Sequence, residues 1–144
     1  MFKADLEFEG RILIHKNGVL VLDKPNLVVT LGKQVAVSRL FSNSEFPGLS
    51  AIGVGAGSVT PAPGDTSLGN QIVCVAFDAG FPTRAGNVET CKTTFVPGVG
   101  NGNWTECGLF NAVSGGQLFS RTTFNSIPKA ASDTLSITWL ITVN

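Results

Sequence analysis

Residues 51–70 read AIGVGAGSVTPAPGDTSLGN, with Gly53, Gly55 and Gly57 at every second position. Closely spaced glycines are the raw material of a phosphate cradle, because bare backbone N–H groups can converge on an anion. The requirements of the known cradles are not met. A Walker loop needs G-x-x-x-x-G-K-[ST], with the lysine on the phosphates, and no lysine occurs between Lys33 and Lys92. A dinucleotide fingerprint needs a third glycine followed by a helix; here Ser58 stands in that place and Pro61 and Pro63 follow. Nucleotide binding is set aside. The alternative is structural: glycines on one face of a strand, with a side chain or another backbone lying against them, then a proline-stiffened loop before Asp65 and Thr66.

The other groups with chemistry to offer are few. His15 is the single histidine and sits beside Asn17-Gly18. Any Ser-His-Asp or Cys-His arrangement would have to use it, and a solvated side chain next to a turn is the simpler expectation. Glu7 and Glu9 share a strand face as paired carboxylates of a glycosidase would, but Asp5 and Arg11 lie on that face too, so a solvated charged face is preferred. Glu106, two residues from Trp104, suggests a sugar groove. The competing expectation is a Trp packed at the edge of a sandwich, with Glu106 turned to water or to Arg121, and it is the one preferred here. Cys74, Cys91 and Cys107 are odd in number and widely spaced, without the C-x-x-C pairs of metal sites. They read as small, buried, reduced hydrophobes. No catalytic residue, cofactor or metal ligand is assigned.

Composition narrows the classes further. The 144 residues fit one domain. Ten basic and ten acidic residues cancel, which removes the electrostatic term that nucleic-acid binding needs. No apolar run reaches the length of a membrane span, and MFKADLEFEG lacks the apolar core of a signal peptide, so synthesis in a cytosol is expected. Charged residues make up only 14% of the chain against 43% hydrophobic. So little charge implies apolar surface packed against a partner or another copy.

The elements that must hold these residues are mostly strands. Leu6, Phe8, Ile12 and Ile14 alternate with Glu7, Glu9 and Arg11, the period of a half-buried strand, with Gly10 marking a bulge or bend. Asn17-Gly18 predicts a type I′ hairpin, placing Ile14 opposite Val21 and Leu13 opposite Leu22 and ending at Pro25-Asn26. One helix of about three turns is expected from a Thr30 cap, on the spacing of Leu31, Val35, Ala36, Arg39, Leu40 and Phe41. Strands are expected around 51–55, 71–77, 87–96, 104–111 and 117–124, with 127–133 as a connection carrying Pro128 and a turn of helix at 67–70. The last strand is the clearest. Leu135, Ile137, Trp139, Ile141 and Val143 share one face, and a strand so apolar should be central or well covered. The fold class is all-β, an antiparallel β-sandwich of jelly-roll or immunoglobulin-like type with one short helix. Residues 1–25 form an N-terminal strand and hairpin, and residues 26–144 the sandwich domain.

Two segments taken together resemble a family of small structural proteins of tailed bacteriophages. The first is IGVGAGSVTPAPGDTSLGNQI, in which Pro61, Asp65, Thr66 and Leu68 match a G-x-G-x-x-x-P-x-x-x-D-T-x-L-like pattern. The second runs from Trp104 to Val143, where Trp104, Thr105, Glu106, Gly108, Leu109, Phe110, Arg121, Phe124, Asp133, Thr134, Leu135, Thr138 and Trp139 match. The resemblance covers residues 26–144; Cys107 replaces a common alanine. It implies a virion structural protein without enzymatic activity, located at the capsid surface after assembly in the host cytoplasm. Within the family a capsid decoration (cement) protein is preferred, trimeric, with the major capsid protein and itself as partners and neither nucleic acid nor membrane. A tail or head-fibre module is the alternative, and a glycan-binding β-sandwich a second. Phe2, Leu6 and Phe8 on the first strand are the candidate partner-binding residues, reaching a neighbouring subunit by strand addition.

Overall fold

The computed structural model describes residues 6–41 and 45–144. Among them lie nine strands and one helix: β1 (Phe8–Lys16), β2 (Val19–Val28), α1 (Thr30–Leu40), β3 (Ala51–Gly55), β4 (Gln71–Ala76), β5 (Thr83–Ala85), β6 (Val88–Phe95), β7 (Gly102–Phe110), β8 (Leu118–Lys129) and β9 (Leu135–Val143). The strands form one antiparallel sheet in the order β4-β3-β7-β8-β2-β1-β9-β6-β5. The sheet curls on itself, and β2 is where the two halves join. Its residues up to Asn26 pair with β1, whereas Leu27 and Val28 pair with Arg121 and Ser120 of β8. Both halves face one core. Ile12, Ile14, Cys91, Phe95, Leu135, Ile137, Trp139 and Ile141 enter it from one side, and Ile52, Val54, Trp104, Cys107, Leu109, Phe119 and Ile127 from the other.

The alternating segments behave as their period requires. Ile12 and Ile14 are fully buried, while Arg11 is exposed and Leu13 half-exposed. In β9 burial alternates from Leu135 through Ile141, and the strand is interior, between β1 and β6. A second, smaller cluster lies on the opposite face of β3-β7-β8: Val29, Ala51, Leu68, Cys74, Phe110 and Leu118. Leu68 belongs to the loop after β3, so that loop is a lid on the outer face of the sheet.

Several local expectations are corrected. Asn17 (φ 49°) and Gly18 (φ 83°) do make the turn, but a register shift between Ile14 and His15 places Ile14 opposite Leu22 and Leu13 opposite Asp23. Gly10 is not a bulge. A Cβ there would meet the Asn26 side chain, whose Oδ1 accepts the Trp139 indole N–H at 3.1 Å. Pro25 does not end the hairpin, since it sits inside β2 opposite Arg11; the boundary drawn at residue 25 therefore falls within a strand. Pro128 likewise lies within β8, opposite Asn103.

The helix also differs in detail. Its cap position is Val29, with no side-chain cap bond; Thr30 is the first helical residue, and its N–H donates to Pro63 O at 2.8 Å. The buried face of α1 is Gly32, Val35 and Ser38, while Leu40 and the following Phe41 are exposed. Gly32 has a physical reason. A Cβ at that position would strike the backbone carbonyl of Phe119, so only glycine lets the helix approach β8 this closely.

Candidate functional site

The glycine-rich stretch does build an anion cradle, and the anion is the chain's own. β3 and β7 pair so that Gly55 lies opposite Glu106 and Gly53 opposite Gly108. Ile52 and Val54 point into the core, so the bare faces of Gly53 and Gly55 turn outward, Gly53 against Phe110 and Leu68 and Gly55 beside the Glu106 side chain. A Cβ on Gly57 would fall on the Glu106 carboxylate, and one on Gly55 would come within 2.5 Å of its Oε1. The loop then folds back over that carboxylate. Oε1 accepts the N–H of Gly57 at 2.9 Å and of Asn70 at 2.7 Å. Oε2 accepts the N–H of Gly69 at 2.9 Å and two bonds from Arg121, Nε at 3.1 Å and Nη2 at 2.9 Å.

Arg121 completes the clasp. It stands on β8 opposite Gly108, whose bare face is filled by Leu68, Phe110 and Leu118. Its Nη1 donates to Asp65 Oδ2 at 2.8 Å and its Nη2 also donates to Val59 O at 2.9 Å. Asp65 Oδ2 accepts the N–H of Ala62 at 2.9 Å as well, and Thr105 Oγ donates to Gly57 O at 2.7 Å. Glu106 is 0% exposed and Arg121 2% exposed. Two charges so deeply placed are tolerable only when paired and hydrogen-bonded around their whole periphery, and both are. Burial is the largest influence on the Glu106 carboxyl and opposes its charge. The bonds from Asn70, Gly69, Arg121 and Gly57 outweigh it and hold the group below the usual carboxylate range. The Asp65 carboxyl is lowered too, first by the Ala62 N–H and then by Arg121.

Trp104 and Glu106 do not share a groove. Between them the register against β8 shifts, from Trp104 opposite Ile127 to Glu106 opposite Thr123. Trp104 goes into the core, 0% exposed and edge-on to Phe95 at 4.8 Å, with its indole N–H on Gly100 O at 2.7 Å. Glu106 goes to the opposite face, under the loop. Of the two directions expected for Glu106, the bond to Arg121 is the one observed. Residues 67–70 are not a turn of helix; they follow a bent path that brings the amides of Gly69 and Asn70 to Glu106.

The remaining candidates lie apart. His15 is half-buried near the end of β1, opposite Ser136 and Leu20. The three cysteines are buried free thiols; burial pushes Cys74 up to about 11 and Cys91 up to about 12, and raises Cys107 as well. Among the described residues no group of His, Cys, Asp and Glu is placed to hold a metal ion, and no helix is long and apolar enough to cross a membrane. Phe2 lies outside the described residues. Leu6 is exposed. Phe8 is half-buried, paired with Val143 and edge-on to Phe119 at 5.9 Å. The clasp itself was missed as a unit by sequence reasoning. Its signal was present: Asp65, Glu106 and Arg121 all fall within the quoted motifs, beside glycines that a buried carboxylate would need. No family model, no curated protein and no solved structure matches this chain.

Proposed function

We propose that this chain is a structural protein of a tailed-bacteriophage virion, a capsid decoration protein that binds the outer shell and stabilises it without catalysing a reaction. Its partners are the major capsid protein and other copies of itself, and its place is the capsid surface. The curled sheet is read as a β-sandwich, its two halves packed across the shared core. One observation carries the proposal. The residues of the motif that could do chemistry, Asp65, Glu106 and Arg121, are occupied by one another and by backbone inside the fold. The motif's buried charged groups are thus spent on holding a lid against the sheet, as a structural family would need. The low charge fraction supports burial against partners.

A decoration protein stabilises a shell by binding its expanded state in preference to others, and many weak contacts add through multivalency. Strand addition would use the N-terminal strand at Leu6, which is exposed, ahead of Glu7, which already exchanges backbone bonds with Asn144 at 3.1 and 2.9 Å. The test is to image the native particle and count copies. Hundreds of copies per head, and capsids that rupture at lower temperature when stripped of the protein, are expected. A few to a few dozen copies would replace the proposal with a tail or fibre module, and equal robustness with and without the protein would overturn it.

A further inference from the structure

The hairpin of β1 and β2 carries an apolar tip that nothing described in the chain covers. Val19, Leu20 and Val21 are consecutive and 65%, 49% and 43% exposed. The strand they occupy pairs with β1 on one side, but on its other side β8 joins only at Leu27 and Val28. The backbone of residues 19–22 therefore presents an open sheet edge among the described residues, lined with the β-branched and aliphatic side chains that favour strand pairing.

This tip is held rigid from outside. The Asn17 N–H donates to Thr134 O at 2.8 Å, Asn17 Nδ2 donates to Asp133 Oδ1 at 2.9 Å, and the Thr134 N–H donates to Asn17 Oδ1 at 2.9 Å. Lys16 Nζ stands 3.5 Å from Asp133 Oδ2. A fixed edge loses little conformational freedom on pairing. Further along β2, Asp23, Lys24 and Pro25 supply the charges and the proline that normally guard an edge. The guards begin where the apolar run ends.

We propose that the Val19–Leu22 edge is a self-association surface, at which two copies of this chain pair their β2 strands antiparallel about a two-fold axis through Val21. An isologous contact requires a self-complementary patch. In this register Val21 faces its own counterpart and Leu20 faces the second copy's Leu22. Val19 meets Asp23 and Gly18 meets Lys24, so no like charges oppose one another. The formal net charge of zero adds no long-range repulsion between copies. A ladder this short is smaller than the interface of a standard stable complex, so the contact belongs to the weak class and is seen at high concentration or on a lattice. The proposal does not rest on the virion reading.

Sedimentation velocity of the full chain, from about 10 µM to about 1 mM, tests it. The wild-type mass is expected to rise with loading toward twice the 15.0 kDa of one chain. Leu20→Arg, an exposed change, and Val19→Thr/Val21→Thr, which keeps β-branching, should each weaken the dimer at least tenfold while leaving the melting temperature within about 2 °C. If Leu20→Arg disturbs folding, the threonine pair decides. A chain that stays monomeric at all loadings, or an oligomer that both variants leave undiminished, overturns the proposal.

Discussion

The amide of Gly57 donates to Oε1 of Glu106 at 2.9 Å, across 49 residues of sequence. That bond joins the two segments whose spacing raises the question of chemistry. The glycines provide the bare backbone of an anion site, and the acid fills it from the neighbouring strand. A fold can thus carry an oxyanion-type cradle with no external ligand, because a carboxylate of its own supplies the charge.

Removing that charge is the first prediction. Glu106→Gln keeps the volume but turns one acceptor into a donor facing N–H groups, and leaves Arg121 with Asp65 as its only ionic partner. Breaking a buried pair from one side costs about 3–5 kcal/mol, a fall in melting temperature of about 6–15 °C for a chain of this size. Glu106→Ala should fall as far but recover part of the loss in about 0.1 M formate, which can occupy the vacated cradle and stabilise by mass action. Sodium chloride at equal ionic strength is the control. Melts by circular dichroism read both effects, and equal curves in formate and chloride would show that the cradle does not exist apart from Glu106.

The glycines separate into two classes, and alanine substitutions read them apart. Gly57→Ala drives a Cβ into a carboxylate that five bonds hold in place, and Gly32→Ala drives one into the Phe119 carbonyl. Each should destabilise by about 2–3 kcal/mol, the range of overpacking at a rigid site. Gly64→Ala meets nothing within 4 Å and should be neutral or stabilise by up to about 1 kcal/mol through the unfolded chain. Chemical denaturation midpoints check the order; a Gly57→Ala protein as stable as wild type would mean the loop is free to lift from Glu106.

What was legible in the sequence follows from where each interaction originates. Ile12, Ile14 and the Leu135–Ile141 alternation were readable because a buried sheet face imprints a period of two on the strand itself. The apolar β9 declared its interior position for the same reason. The Asn17-Gly18 turn was readable, but the register was misplaced by one residue, since the shift at Ile14/His15 leaves no local mark. Pro25 and Pro128 were misread as strand ends; β2 and β8 diverge beyond Leu27, so Pro25 lacks a ladder to disrupt on that side. Gly32 has no local reason within the helix; its cause is the distant Phe119. The clasp was legible only as parts. A buried carboxylate depends on donors 36, 37 and 49 residues away, and no local pattern states that such segments converge.

The hairpin turn offers a prediction that separates backbone conformation from side-chain bonding. Asn17 has φ 49° and its side chain both donates to Asp133 and accepts from Thr134. Asn17→Gly relieves the conformational cost but loses both bonds, whereas Asn17→Ala suffers both losses. Alanine should therefore destabilise more than glycine by about 1 kcal/mol, with glycine itself below wild type by about 1–2 kcal/mol for the two lost bonds. Amide hydrogen exchange at Thr134 should accelerate in both variants. Wild-type stability in Asn17→Gly would remove the 130–134 turn as the anchor of the tip.

Acid dependence follows from the three carboxyls held down in the folded state. Glu106 is lowered because its hydrogen bonds from Asn70, Gly69, Arg121 and Gly57 outweigh burial. Asp65 is lowered first by Ala62 and Asp133 first by Asn17, then by the Ala130 N–H. Each folded pKa lies below its unfolded value of about 4, so the unfolded chain takes up protons first as pH falls. Their stabilisation is then complete above about pH 5 and lost progressively as pH falls through the folded pKa values. Urea unfolding should give a plateau from pH 5 to 7 and a decline below pH 4. In Glu106→Gln the decline should be shallower, because one of the three lowered carboxyls no longer titrates. A variant whose acid slope matches wild type would show that Glu106 takes up its proton at the same pH folded and unfolded, and that the clasp gives its charged form no net preference.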